Sequence, residues 1–319
     1  MKIREKTLEF ADIVYKSNSE IILGDTLQKL KKLHDEKFDL TITSPPYNIG
    51  KEYETKKSIE KYLEEQEPVI EEIIRVTSPR GNICWQVGNY INKKEIFPLD
   101  LFYYPIFKKH KLKLRNRIVW YFGHGLHASQ RFSGRYETIL WFSKSEKSIF
   151  NLDSVRVPSK YPGKRYFKGP RKGEFSGNPL GKNPSDVWEI IKNDWENELW
   201  NIPNVKSNHP EKTEHPCQYP IELVERCVLA LSNENGWVLD PYAGVGSTMI
   251  ASIKNNRNVV GIEKEKRYVD ITKERIENLY NGTLKMRPIN KPIHVPSPKD
   301  KIVQIPLEWL NLKFNGNGK

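Results

Sequence analysis

The segment GWVLDPYAGVGSTMIASIKNNRNVVGIE, residues 236–263, restricts the fold more than any other stretch of the chain. WVLD reads as a buried strand, a helix begins near Ser247, and NVVGIE reads as a second strand. Two strands joined through a helix form a parallel pair with a right-handed crossover, which commits the chain to an α/β sheet. Ligands of such sheets sit at the carboxyl ends of the strands. Gly244 and Gly246 lie between the first strand and the helix, where glycine allows positive φ and close approach of a ligand to the backbone. The loop is not a Walker P-loop, because no Lys precedes Ser247 or Thr248, and it lacks the third glycine of G-x-G-x-x-G. A dinucleotide pyrophosphate is therefore disfavoured. Glu263 closes the second strand about 20 residues after Asp240, where a carboxylate accepts both hydroxyl protons of a ribose diol.

A second feature is FDLTITSPPYN, residues 38–48. FDLTIT reads as a core strand, and Ser44-Pro45-Pro46-Tyr47 stops it, because neither proline has an N–H for a sheet ladder. Elsewhere, EIILGDTLQKL reads as strand, turn and helix start. SIEKYLEEQEPVIEEIIRV reads as a helix capped by Ser58 and kinked or divided at Pro68. SPRG ends that helix and NICWQVGNY follows as a strand. LFYYPIFKKH is helical in part. LRNRIVWYF and YETILWFSK read as strands that form an antiparallel pair, and YPIELVERCVLAL as an amphipathic helix. Regular patterning fades between residue 150 and that helix. From residue 286 onward Pro and polar residues dominate, with one ordered segment expected around Ile305 to Leu312.

Charge narrows the function. The net charge of +12 favours a polyanionic partner. Arg156, Lys160, Lys164, Arg165, Lys168, Arg171, Lys172 and Lys182 crowd residues 156–182 against the single acid Glu174, with Tyr161, Tyr166, Phe167 and Phe175 between them. Such a stretch suits phosphate and base contacts; the alternative is a solvated linker. Cys84, Cys217 and Cys227 show no paired spacing and no H-E-x-x-H is present, so neither a disulfide framework nor a metal site is expected. No apolar run reaches the ~18 residues of a membrane helix and MKIREKTLEF lacks a signal-peptide core, so the expected location is the cytoplasm.

Together, DPYAGVGST, Glu263 and TSPPYN resemble the S-adenosylmethionine-dependent DNA amino-methyltransferases over most of residues 20–285. The catalytic corner precedes the glycine loop in the chain, as in the permuted beta group of that family. The resemblance implies a Rossmann-like, mostly parallel mixed sheet with helices on both faces, in circularly permuted order, plus an irregular target-recognition region. It divides the chain into a catalytic half (1–150), a target-recognition region (151–212), a cofactor-binding half (213–285) and a tail (286–319). It implies that Asp240, Tyr242, Ala243, Gly244 and Gly246 line the methionine end of S-adenosyl-L-methionine, that Glu263 holds the ribose and that Asp25 contacts the adenine. HPCQYP, residues 215–220, leads a helix onto the cofactor's methionyl side, and Ser44, Pro45, Pro46 and Tyr47 form the target-base pocket.

The chemistry explains the corner. An exocyclic base amine is a poor nucleophile because its lone pair is delocalised into the ring. Two acceptors at the amine hydrogens, the Ser44 hydroxyl and the Pro45 carbonyl, favour a pyramidal nitrogen. Tyr47 stacks on a base that has flipped out of the duplex. In the resembled family a serine at this position accompanies N4-cytosine methylation, with Asp or Asn commoner for N6-adenine, so cytosine is expected and adenine is the alternative. An RNA methyltransferase, a binding module without chemistry and a nicotinamide oxidoreductase are the rival classes. The expected partner is double-stranded DNA, contacted by Arg131, Arg135 and the basic residues 160–172. A cognate restriction endonuclease and a homodimer are open. His124 and His127 read as ordinary loop histidines, and Trp188, Trp195 and Trp200 as core of the recognition region.

Overall fold

The computed structural model describes residues 17–48, 56–122, 127–188, 205, 209–288 and 297. In chain order the elements are β1 (Ser19–Leu23), α1 (Thr26–Leu30), β2 (Phe38–Thr43), α2 (Ile59–Val76), β3 (Thr77–Val87), β4 (Asn89–Asn92), β5 (Glu95–Pro98), α3 (Leu99–Lys109), β6 (Lys113–Tyr121), β7 (Tyr136–Ser143), β8 (Val187–Trp188), α4 (Ile221–Leu231), β9 (Trp237–Asp240), α5 (Ser247–Lys254), β10 (Asn258–Glu263) and α6 (Lys266–Tyr280). Eight strands form one sheet in the order β1-β10-β9-β2-β3-β7-β6-β8. The run from β1 to β3 is parallel, β7 is antiparallel to both β3 and β6, and β8 joins β6 in parallel. This is the mixed, mostly parallel sheet expected from the alternation of strands and helices.

Strand alternation sends side chains to two cores. Leu40, Val238 and Val259 pack with α4 and α5 on one face. Ile83, Leu239, Val260 and Ile262 pack with α1, α2 and α3 on the other. Period two on the strands and near-period-four on the helices account for both layers.

In α2, Ser58 caps the helix by accepting from the Lys61 amide at 3.3 Å. Pro68 does not divide it. Tyr62, Gln66, Val69, Ile70, Ile73 and Val76 are buried along one face on both sides of the proline, and tertiary packing carries a single helix through it. SPRG does not separate helix from strand either. β3 starts at Thr77, opposite Phe38, and Ser78–Gly81 are accommodated by a register shift before Leu40 meets Asn82. Asn89 and Tyr90 leave that strand after Gly88 and pair with β5 in a separate hairpin, turned by Lys93 and Lys94 with φ of +46° and +72°. The β6–β7 pairing is antiparallel as expected. Trp188 is buried against β6; Trp195, Trp200, His124 and the segment Ile305–Leu312 lie outside the described residues.

Distant parts of the chain meet in the centre of the sheet. β2, from the N-terminal half, pairs directly with β9, Leu40 opposite Val238 and Thr41 opposite Leu239. The Ser-Pro-Pro-Tyr corner and the glycine loop therefore leave adjacent parallel strands at the same end of the sheet. Trp85 of β3 is fully buried beneath them, with its ring edge-on to Tyr103, Phe107 and Tyr242. Trp85→Ala is expected to cost about 3–5 kcal/mol of unfolding free energy in a urea titration, and a near-neutral result would contradict this packing.

Candidate active site

Thr43 and Asp240 end the two adjacent strands, and their side chains bridge them. Thr43 Oγ1 donates to Asp240 Oδ1 at 2.6 Å, and the Tyr242 amide donates to the same oxygen at 3.1 Å. Asp240 Oδ2 accepts from Tyr219 Oη at 2.7 Å and from Thr248 Oγ1 at 2.5 Å. The carboxylate is fully buried, and burial raises its pKa against the pull of these four donors. Asp240 therefore does not line the cleft, as the sequence had led one to expect. It is consumed in holding β2, the glycine loop, α5 and the segment before α4 together.

The loop beyond it does face the cleft. Ala243 N donates to the Ile262 carbonyl at 2.9 Å and Gly244 N to Glu263 Oε2 at 2.8 Å. Gly244 has φ +53°, and a Cβ there would sit 3.3 Å from His215 Nε2. Gly246, with φ +77°, serves packing instead, since a Cβ would lie 2.6 Å from Thr272 Cγ2 on α6. Glu263 Oε2 accepts from Gly244 N and its Oε1 from Glu265 N at 2.8 Å, and the Lys264 amide also bonds the carboxylate. Burial raises its pKa. Asp25 caps α1 through the Gln28 amide at 3.0 Å and remains exposed at the cleft.

Opposite the loop stands the corner. Ser44, Pro45, Pro46 and Tyr47 line the same cleft as Tyr242, Ala243, Gly244, Glu263 and His215, and its volume is about 1240 Å³. Tyr62 Oη of α2 donates to the Pro46 carbonyl at 2.6 Å and pins the corner from behind. Ser44 Oγ donates to Tyr47 Oη at 3.0 Å, and Tyr47 Oη donates to Glu137 Oε2 at 3.4 Å. Gln86 Nε2 of β3 donates to the same carboxylate oxygen. Burial pushes the Glu137 carboxyl up to about 7, against the lowering effect of the Gln86 and Tyr47 hydrogen bonds. Sequence reasoning missed Glu137. A lone acid entering the apolar strand YETILWF was the available signal.

HPCQYP runs along the cleft into α4. His215 and Cys217 line the cleft, Tyr219 reaches Asp240, and α4 begins at Ile221. Outside the cleft, Glu67, Glu71 and His110 draw together at α2 and the end of α3, with Glu67 paired to Lys109.

Residues 38–274 match the model of the N6/N4 DNA methylases. This chain belongs to the DNA methylase family. It is 46% identical over 254 residues to the Type II methyltransferase M.BglII of Bacillus subtilis, covering 79% of this chain and 67% of that one. It is 32% identical over 263 residues to the DNA adenine methyltransferase YhdJ of Escherichia coli (strain K12), covering 81% and 82%. The solved structure of the PvuII DNA methyltransferase, cytosine-N4-specific, shares the fold at 18% identity with a TM-score of 0.61, over 84% of this chain and 93% of that one.

In this methylase the expected DNA-contacting residues fall in two places. Arg131 is exposed on the rim of the cleft beside Phe132, which is 99% exposed. Arg135 is half-buried, its Nη2 3.4 Å from His127 Nδ1. Lys160, Lys164, Arg165, Lys168, Arg171 and Lys172 are exposed on an excursion that does not line the cleft. The excursion is tied by the bridges Val157–Lys182 and Arg165–Phe175, with Arg165 3.9 Å over the Phe175 ring and Arg171 4.5 Å over Tyr166. No helix among the described residues is long and apolar enough to cross a membrane.

Two outcomes are expected. Asp240→Ala leaves buried donors unpaired and is expected to cost about 3–5 kcal/mol and to abolish S-adenosylhomocysteine binding by calorimetry; unchanged affinity would contradict the clamp. Glu137, raised in the fold to about 7, binds a proton there that the unfolded chain has already lost above its ordinary range. Its effect on stability is therefore unfavourable as pH rises through that window. Glu137→Gln should raise the melting temperature at about pH 8 and much less at about pH 5.5; equal shifts at both would contradict the raised carboxyl.

Proposed function

We propose that this methylase modifies the exocyclic N4 of cytosine at a specific site in double-stranded DNA, with S-adenosyl-L-methionine as methyl donor. The observation that carries this reading is the Ser44 hydroxyl in the cleft lined by the glycine loop, part-buried and already donating its own proton to Tyr47. Its oxygen is thereby left as an acceptor for an amine hydrogen.

The residues present fit the donor. Gly244, lacking a Cβ beside His215, and the Glu263 carboxylate line a cradle in the cleft. S-adenosyl-L-methionine supplies an electrophilic methyl group when bound there. Glu263 would hold its ribose hydroxyls, Asp25 its adenine end, and Tyr242, Ala243 and Gly244 its methionyl end. Ser44 and the Pro45 carbonyl take the two amine hydrogens of the target base and turn its lone pair out of the ring. Tyr47 supplies a stacking face, worth about 1–3 kcal/mol for a base. The base reaches the corner by flipping out of the duplex. The exposed cations of residues 160–172 contact phosphates, and the region 151–212 selects the site. The likeness to a Type II methyltransferase accords with this reading, in which the enzyme accompanies a restriction endonuclease of the same specificity.

Adenine N6 is the second reading, favoured by the likeness to the adenine methyltransferase YhdJ. Nucleoside mass spectrometry of plasmid DNA from cells expressing the protein, with single-molecule sequencing, separates the two. N4-methylcytosine at one short motif is expected, and N6-methyladenine would overturn the cytosine assignment. Ser44→Ala is expected to lower the methylation rate by about 10²–10³ while S-adenosylhomocysteine affinity holds within about threefold; turnover at the wild-type rate would remove the acceptor role.

A further inference from the structure

Four side chains from three parts of the chain meet at the corner. Ser44 Oγ donates to Tyr47 Oη at 3.0 Å, and Tyr47 Oη donates to Glu137 Oε2 at 3.4 Å. Gln86 Nε2 fixes the receiving oxygen from β3. The end of β3 is shaped around this pair. A Cβ at Gly88 would stand 3.2 Å from both Glu137 Oε1 and the Tyr47 ring carbon Cε2. Ser44 and Tyr47 both donate toward the carboxylate, and Ser44 Oγ keeps acceptor capacity at the corner end.

We propose that Ser44, Tyr47 and Glu137 form a proton relay that carries the proton lost by the target amine outward, with Glu137 as its terminal acceptor. The relay rests on the methylation reading given above and holds for either base. The nitrogen lone pair makes the N–CH3 bond, and the S–CH3 pair leaves with the sulfur of the donor. The positive charge passes from sulfonium to nitrogen. The N–H pair then returns to nitrogen as its proton enters at Ser44 Oγ, the Ser44 proton moves to Tyr47, and the Tyr47 proton moves to Glu137 Oε2. Glu137 becomes neutral and later gives the proton to water in the cleft it lines.

Each member suits its place. A serine hydroxyl cannot keep a second proton, so it hands one on. Burial holds the Tyr47 phenol well above its ordinary value, with Glu137, Cys217 and Tyr62 facing it, so it passes a proton without resting as phenolate. Glu137 faces Gln86 from β3 and Tyr47 from the corner, and Arg131 lines the same cleft. Burial makes the carboxylate a proton acceptor near neutrality. The 3.4 Å step is of the kind that tightens when an active site closes on its substrate.

The test uses the full chain and a duplex bearing the site that the wild-type protein methylates. Single-turnover rates are measured from about pH 5.5 to 9 for wild type, Glu137→Gln, Glu137→Asp and Tyr47→Phe. Wild type should show an acid limb controlled by a group near 7. Glu137→Gln and Tyr47→Phe should be about 10–100-fold slower at about pH 8 and lack that limb, and Glu137→Asp should restore it. Affinities for S-adenosylhomocysteine and for the duplex should stay within about threefold. An infrared carboxyl band that titrates in the donor-free wild type and is missing from Glu137→Gln reads the acceptor without turnover. A wild-type rate in Glu137→Gln, or an intact acid limb, would overturn the relay alone. A loss of affinity matching the loss of rate would make Glu137 merely structural and also overturn it. If wild type methylates no DNA base, the relay falls together with the reading beneath it.

Discussion

The structure depends on one hydrogen bond between two strand ends, from Thr43 to Asp240. The strands come from opposite halves of the chain, 197 residues apart. Pairing of β2 with β9 sets them side by side, and the buried carboxylate then gathers Tyr219, Thr248 and the Tyr242 amide around itself. A buried charge without partners is strongly destabilising, so its four donors must be in place whenever the chain is folded. Corner, glycine loop, α5 and the approach to α4 are consequently locked in one arrangement, and the cleft between them is built before any ligand arrives.

Around that clamp the site separates its polar tasks by burial. Asp240 is enclosed and structural. Glu263 is partly enclosed, held by backbone amides and lining the cleft. Glu137 stands at the cleft wall, where loss of water makes the carboxyl basic enough to titrate near neutrality. The prolines give the corner its rigidity at no cost in unmet N–H groups, and Tyr62 holds it from α2. Rigid acceptors placed before the substrate arrives need no reorganisation during the reaction.

Much of this was legible in the sequence because it is local. The strand–loop–helix–strand unit announces itself through period and glycine, and Glu263 follows at the end of its second strand. The Ser-Pro-Pro-Tyr corner is legible because two prolines cannot sit in a ladder. What the sequence hid is long-range. Asp240 reads as a strand-end acid facing a ligand, and only the contact with Thr43 turns it inward. Glu137 lies 90 residues from Tyr47 and acquires its character from burial that no pattern encodes. Pro68 reads as a breaker, but six buried side chains on both sides outweigh its propensity. The β4–β5 hairpin was hidden because its turn is Lys93-Lys94, without the Gly, Asn or Asp that marks a tight hairpin.

The most direct measurement is a crystal structure of the protein with S-adenosylhomocysteine and a duplex containing its methylated motif. The account predicts a base turned out of the helix and stacked on Tyr47, its exocyclic nitrogen within hydrogen-bond distance of Ser44 Oγ, and the ribose of the homocysteine adduct on Glu263. A base left in the stack, or held in the cleft with its amine turned away from Ser44, would contradict it.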